Sequence, residues 1–292
     1  MRLFRSTPRL ALVASLTASQ VGGLVPRSEA PRAVTSPSLP AVALAGGGAP
    51  TEWVTRARQR GRPCVPVDVP ASSHEFFFTR AMYSGYRRRG FGRGSWAIDC
   101  PEADQHFLFG LRRMTNIDAY DGEHPMRLDD PELRKFPFLY MLEVGAMALS
   151  PPEIEGLRSY LLAGGFLFVD DFWGDWEWLN FEQQIRLVLP EYSIQEIGLD
   201  HPVFNAFYDI DTIIQVPNVG NGRWGGGTSE KGGITPHVRG IFDEHGRLLV
   251  AVHWNTDLGD AWEWADDPYY PIFYSNYAWR VGINFVIYAM TH

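Results

Sequence analysis

Residues 157–178, LRSYLLAGGFLFVDDFWGDWEW, constrain the fold more than any other part of the chain. Apolar residues at three- and four-residue spacing read as an amphipathic helix, and Gly164-Gly165 stops it. FLFV then supplies a short continuous apolar run, as a strand does when both of its faces are buried. Helix, glycine stop and buried strand make the helix-to-strand half of an α/β unit. Asp170 and Asp171 therefore fall at the carboxyl end of that strand. Open parallel sheets hold ligands in the crevice beyond such ends.

The same alternation runs through the rest of the chain. EFFFTRAMY (75–83) reads as an aromatic strand and PEADQHFLFGLRRMT (101–115) as a helix, with Phe107, Leu108, Leu111 and Met114 on one face. PFLYMLEV (137–144) has the length and apolarity of a second buried strand. Ser150 and Glu153 predict a capping box for the helix PPEIEGLRSYLLA, whose stripe is Ile154, Leu157, Leu161 and Leu162. NFEQQIRLVLP (180–190) predicts a third helix, IIQVP (213–217) a strand, and HVRGIF with RLLVAVHW a hairpin around DEHG. An apolar-faced helix runs from Asn276. Together these predict an α/β fold: a three-layer sandwich with a mainly parallel, flavodoxin-like sheet and an antiparallel hairpin. The glycine-rich stretch 217–236 is expected to be a mobile surface loop, since no helix follows its GxGxxG-like spacing.

The first 45 residues read differently. An arginine-led start, MRLFRSTPRL, precedes a weakly apolar run, and small residues offer cleavage points at Ala30 and Ala45. This order predicts a signal peptide (1–30), a linker and N-terminal extension (31–73) and an α/β domain (74–292), exported to a periplasmic or extracellular compartment. No later run approaches the roughly 20 apolar residues that span a bilayer, so no transmembrane span is expected in the mature chain. Residues 1–45 hold five arginines and one glutamate, and without them the formal charge falls from −8 to −12. An acidic domain repels phosphate backbones, which argues against nucleic acid as a partner. RRRGFGR (87–93) is a local exception, read as a solvated loop that could seat an anionic group. Cys64 and Cys100 have no metal-like spacing; in an oxidising compartment they could pair and tie the extension to the first α/β unit.

Polar groups gather at the predicted strand ends: Arg80 and Tyr83, Glu143, Asp170 with Asp171, and Asn255 with Asp257. His201, in LDHPVF, could approach from a loop. Carboxylates with a histidine suit acid/base work or a divalent metal, so Asp170, Asp171 and His201 are the catalytic candidates. Arg80, Tyr83, Glu143, Trp173, Asn255 and Asp257 are the ligand-binding candidates. Asp257, Asp260 and Glu263 could line one helical face, without any calcium-loop pattern. Neither a metal nor a cofactor is specified. Each group also has a structural reading: Asp171 capping the next turn, Asp170 bonding amides across a loop, Glu143 partnering Arg80, His201 serving a turn before Pro202. Seven tryptophans (Trp173, Trp176, Trp178, Trp224, Trp254, Trp262 and Trp264) flank this edge and could stack on sugars, meet a partner or close a lid.

FTRAMYSGY, WAIDCPEADQHF, FPFLYMLEVGAMALS, LRSYLLAGGFLFVDDFWG, LDHPVF, NTDLGDAWEW and GINFVIYAMTH, in this order, resemble domain-of-unknown-function family 4159 over roughly residues 74–292. That family is similar in fold to the class I glutamine amidotransferase-like group, in which a cysteine nucleophile stands where this chain has Asp170 and Asp171. The resemblance implies that fold and a secreted or envelope-associated setting, and it brings no reaction. The expectation is an exported amidotransferase-like domain without the thiol nucleophile. It would bind a small-molecule or glycan ligand, or an envelope protein, at the strand carboxyl ends. The alternative is a hydrolase of a sugar or amide-bearing envelope substrate that uses carboxylate and histidine groups.

Overall fold

Two apolar runs that the sequence marks as buried strands form strands that are buried at every position. In the computed structural model, which describes residues 64–66, 68–86 and 95–292, these are β3 (Phe138–Leu142) and β4 (Phe166–Asp170). They lie inside one seven-stranded sheet with β1 (Thr79–Met82), β2 (His124–Arg127), β5 (Ile194–Glu196), β6 (His237–Phe242) and β7 (Leu248–Trp254). The order is β2-β1-β3-β4-β7-β6-β5. The first five run parallel, in the doubly wound order with its topological switch point between β1 and β3. The expected hairpin pairs β6 antiparallel to β7, and β5 adds to its outer side.

Side-chain alternation sorts the core into two layers. Phe138, Tyr140, Leu142, Phe166 and Phe168 face one side, against α1 (Glu102–Met114), α5 (Leu258–Glu263) and α6 (Ile272–Thr291) through Phe107, Trp262 and Phe285. Leu139, Met141, Leu167 and Val169 face the other, against α2 (Pro151–Leu162) and α3 (Gly174–Val188) through Leu157, Leu161, Phe181 and Ile185. Burying each such side chain contributes about 1.5–3 kcal/mol, so the strands are fixed from both faces. The arrangement is consistent with a three-layer sandwich.

The helix-to-strand unit shows why its glycines are needed. Gly164 takes φ +113°, and Gly165 lies so close to Tyr160 that a Cβ would stand 2.4 Å from its ring. Tyr160 is buried and its hydroxyl donates to the Phe166 carbonyl at 3.1 Å, joining helix to strand. Tyr160 thus takes the buried place that spacing assigned to Leu162, which is exposed.

Four local expectations are revised. IIQVP is no strand: Ile214 donates its amide to the Tyr277 hydroxyl and Val216 to Thr256 Oγ1, while both edges of β7 are already occupied. α3 begins at Gly174, six residues before the expected start, because the Gly174 amide bonds Asn255 Oδ1 and the Trp173 amide bonds Glu177. α6 begins at Ile272 instead of Asn276. The glycine-rich stretch holds a short helix, α4 (Val219–Trp224), whose first amide is bonded by Asp260 Oδ2. The expected signal peptide, most of the linker and the RRRGFGR loop lie outside the described residues. No helix among the described residues is long and apolar enough to cross a membrane.

Candidate functional site

Strand ends set the backbone of the site. β3, β4 and β7 are followed by Glu143 (φ 52°), Asp171 (φ 49°) and Asn255 (φ 62°). All three are in the left-handed region, which costs a non-glycine residue roughly 1–2 kcal/mol. The Glu143 amide donates to the Asp171 carbonyl at 3.0 Å and the Asn255 amide to the Phe172 carbonyl at 3.0 Å, so the turns brace one another. Asp99 (φ 61°), between β1 and α1, and Lys231 (φ 46°) complete the set of positive-φ non-glycine residues among those described. All five meet at this edge. The Lys231 carbonyl packs on Gly174, where a Cβ would stand 2.3 Å away, and Asn255 Oδ1 packs equally tightly on Gly233. Lys231 Nζ bonds Glu177 Oε1 at 2.7 Å.

Carboxylates fill the crevice. Asp99, Asp171 and Asp257 each present an oxygen within 4.8 Å of the others, and Asp99, Asp260 and Glu263 form a second such group. Asp171 Oδ1 accepts from Trp173 Nε1 at 3.0 Å, and Asp257 Oδ1 caps α5 by accepting the Asp260 amide at 2.7 Å. Strand alternation would send Asp170 and Asp171 to opposite faces, and it does so for Asp170. Its Oδ2 accepts the Leu258 and Gly259 amides at 2.9 Å each and the Tyr140 hydroxyl at 3.2 Å, which ties β4 to the start of α5. The left-handed turn redirects Asp171 towards Asp99 and Asp257.

Burial raises Asp99, Asp170, Asp171, Asp257 and Asp260. It carries the Asp170 carboxyl up to about 7. Asp99, Asp171 and Asp257 are pushed well above the ordinary range by burial first, and then by Asp260, Glu143 and Asp171 respectively. Burial alone would lower the Lys231 ammonium, but Glu143 and Glu177 outweigh it and raise it.

Arg80 does not partner Glu143. It is fully buried and forks onto Asp104, while Nη1 donates to the carbonyls of Trp96 (3.1 Å) and Ile98 (2.8 Å). It therefore holds the loop that presents Asp99. Cys100, the next residue, is disulfide-bonded to Cys64, and the Asp99 carbonyl accepts from the Ala103 amide at 2.8 Å. Tyr83 is buried on the same edge and donates to the Leu142 carbonyl at 2.6 Å.

Asp170, Asp171, Glu143, Asn255, Asp257 and Trp173 come together as position predicts, with Arg80 beneath them. His201 does not join them. It sits against Phe242 and Tyr288, its Nδ1 accepts the Val203 amide, and Phe242 pairs with Leu248 at the amino end of β7. His201 is thus a turn residue at the opposite edge, and no carboxylate–histidine pair is assembled with Asp170 or Asp171. The tryptophans divide as well. Trp173 and Trp262 are buried, and Trp178 packs on Trp254 under Arg239. Trp264 lies under Arg223, and of these seven only Trp176 (81 %) and Trp224 (86 %) stand open.

Asp99, Lys231 and Glu177 escape sequence reasoning. Asp99 is flanked by a cysteine and the start of a helix, a signal for a pinned loop but not for a site. Lys231 lies in the stretch read as mobile, and Glu177 on the turn of α3 that the sequence pattern omits.

No match is found among curated proteins. The family model described as "Domain of unknown function (DUF4159)" matches residues 82–290, which is most of the chain, and the protein belongs to that family.

Proposed function

We propose that this is an exported, amidotransferase-like domain without a thiol nucleophile that binds a polyhydroxylated small molecule or glycan in the crevice beyond β1, β3, β4 and β7. One observation carries the reading: five left-handed non-glycine residues gather at a single crevice. Backbone strain of this kind persists where surrounding structure over-determines it, and it clusters at ligand sites. The carboxylates supply acceptors for ligand hydroxyls. Trp176 lies in the first turn of α3 beside Gly174, and Trp224 ends the helix whose start is held by Asp260, so two exposed indoles lie on helices whose starts adjoin the acids. Indole faces suit stacking on sugar rings. Both cysteines are engaged in the Cys64–Cys100 disulfide, which fits an oxidising periplasmic or extracellular compartment and removes them as nucleophiles.

Saturation-transfer NMR against a panel of mono- and oligosaccharides and amide-bearing sugar fragments tests the proposal. At least one class should bind. Asp171→Asn and Trp176→Ala should each weaken it about tenfold, the effect of losing one hydrogen bond to a charged group or one aromatic contact. Absence of binding across the panel, or binding unchanged in both variants, would overturn it.

A further inference from the structure

Three carboxylates from three separate loops converge without filling one another's bonding capacity. Asp99 follows β1, Asp171 follows β4 and Asp257 follows β7, and an oxygen from each lies within 4.8 Å of the other two. Asp99 as a residue is half-buried, but its Oδ2 is closed from solvent and has no hydrogen-bond donor among the described residues. That oxygen stands over Gly259, 2.6 Å from where a Cβ would be, with Asp257 Oδ1 3.6 Å from the same point. It therefore faces into the group. Asp170 is fully buried and its Oδ1 likewise lacks a donor, although its Oδ2 takes three. Within the group, the closed Asp99 Oδ2 thus lacks the donor that such oxygens ordinarily find.

Among the described residues, two basic side chains at this edge are engaged elsewhere. Lys231 Nζ bonds Glu177, and the Arg80 fork is on Asp104. Asp260, in the second acidic group, is held by the Val219 amide and Trp264 Nε1, as a bracket between α4 and α5.

We infer that Asp99, Asp171 and Asp257 bind a hard divalent cation, calcium by preference. The inference rests on the crevice reading above and deepens it, since a bound cation offers vicinal ligand hydroxyls further coordination positions. The donor set is all oxygen, which suits calcium, magnesium or manganese and offers nothing to ions that favour sulfur or imidazole. Two oxygens on opposite sides of calcium are about 4.6–5.2 Å apart, against about 4.2 Å for magnesium, and calcium tolerates irregular geometry. Oxygens within 4.8 Å of one another suit any of these ions, and the irregular geometry of ligands drawn from three separate loops favours calcium.

The test uses the full chain stripped with EDTA and then titrated with CaCl2, MgCl2 and MnCl2 by calorimetry. One ion per chain should bind, with a rise in Tm. Terbium should bind in its place and emit on indole excitation, because Trp173 is bonded to Asp171, and calcium should displace it. Losing a direct ligand should cost more than the roughly 10–100-fold that an outer-shell partner costs, so Asp99→Asn and Asp257→Asn should each lose about 100-fold or more in affinity. Glu182→Gln, the same charge change on the exterior of α3, should lose none. Circular dichroism in EDTA checks that the variants fold. Stripped wild-type protein that takes up none of the three ions would overturn the inference, as would undiminished binding in both Asp variants. Saccharide binding in EDTA without cation uptake would remove the cation and keep the crevice; cation uptake with no ligand from the panel would do the reverse.

Discussion

Gly174 is the residue on which two constraints of the crevice meet. Its φ is +68°, and a Cβ there would stand 2.3 Å from the Lys231 carbonyl, a backbone atom that cannot swing aside. Gly164 differs: φ is +113° with nothing near its absent side chain. Gly164→Ala should therefore cost only the backbone term, roughly 1–2 kcal/mol. Gly174→Ala adds overpacking and should cost at least about 3 kcal/mol. Urea midpoints of the two variants check this; equal losses would mean that the Lys231 loop yields freely. The same contrast shows what could be read from the chain at this scale. Asp170 and Asp171 were legible because each ends an apolar run, and so were Glu143 and Asn255. Asp99 and Lys231 were not, because what brings them in is a left-handed turn stabilised by partners far away in sequence.

At the scale of elements, a pattern was readable where its cause was local. The glycine stop, the buried runs and the Ser150–Glu153 cap, in which the Ser150 amide bonds Glu153 Oε2 at 2.8 Å, lie where spacing puts them. IIQVP has strand composition but both edges of β7 are taken, and α3 gains its first turn from Asn255, 81 residues away, rather than from its own periodicity. Neither cause is visible in a window of sequence. The Cys64–Cys100 bond is a third long-range tie, spanning 36 residues and ending beside Asp99. Replacing both cysteines with alanine should lower stability by roughly 2–4 kcal/mol, the usual effect of cross-linking a loop of this length. Any ligand binding of the protein that remains folded should weaken without vanishing, since Arg80 still holds the Ile98 carbonyl. Complete loss of binding at full stability would contradict that division of labour and point to a thiol-derived role.

Across the whole molecule, protons act on the carboxyl edge of the sheet and on the core beneath it with opposite effect. The crevice acids sit above their ordinary range, so between about pH 4 and 7 the folded state binds more protons there than the unfolded chain, and acidification favours folding. His253 works the other way. It is buried in β7, stacked at 4.6 Å on Phe168 and 4.9 Å from Phe285, its Nε2 has no partner among the described residues, and burial lowers it to about 3. Unfolded, it would take a proton below about pH 6.5. Its contribution is therefore fully present above that value and is lost as pH falls, until the folded form protonates near 3. At pH 5 the penalty is roughly 2 kcal/mol, from about 1.4 kcal/mol per pH unit over the interval below 6.5. Because the acids offset it, the pH profile of the wild-type protein alone would hide this. The difference between wild type and His253→Leu isolates it: the variant should gain about 2 kcal/mol relative to wild type on moving from pH 8 to pH 5, read from urea midpoints at both. A stability gap between the two proteins that is the same at both pH values would show that His253 is protonated alike in the folded and unfolded chain, and that this face of the sheet admits water.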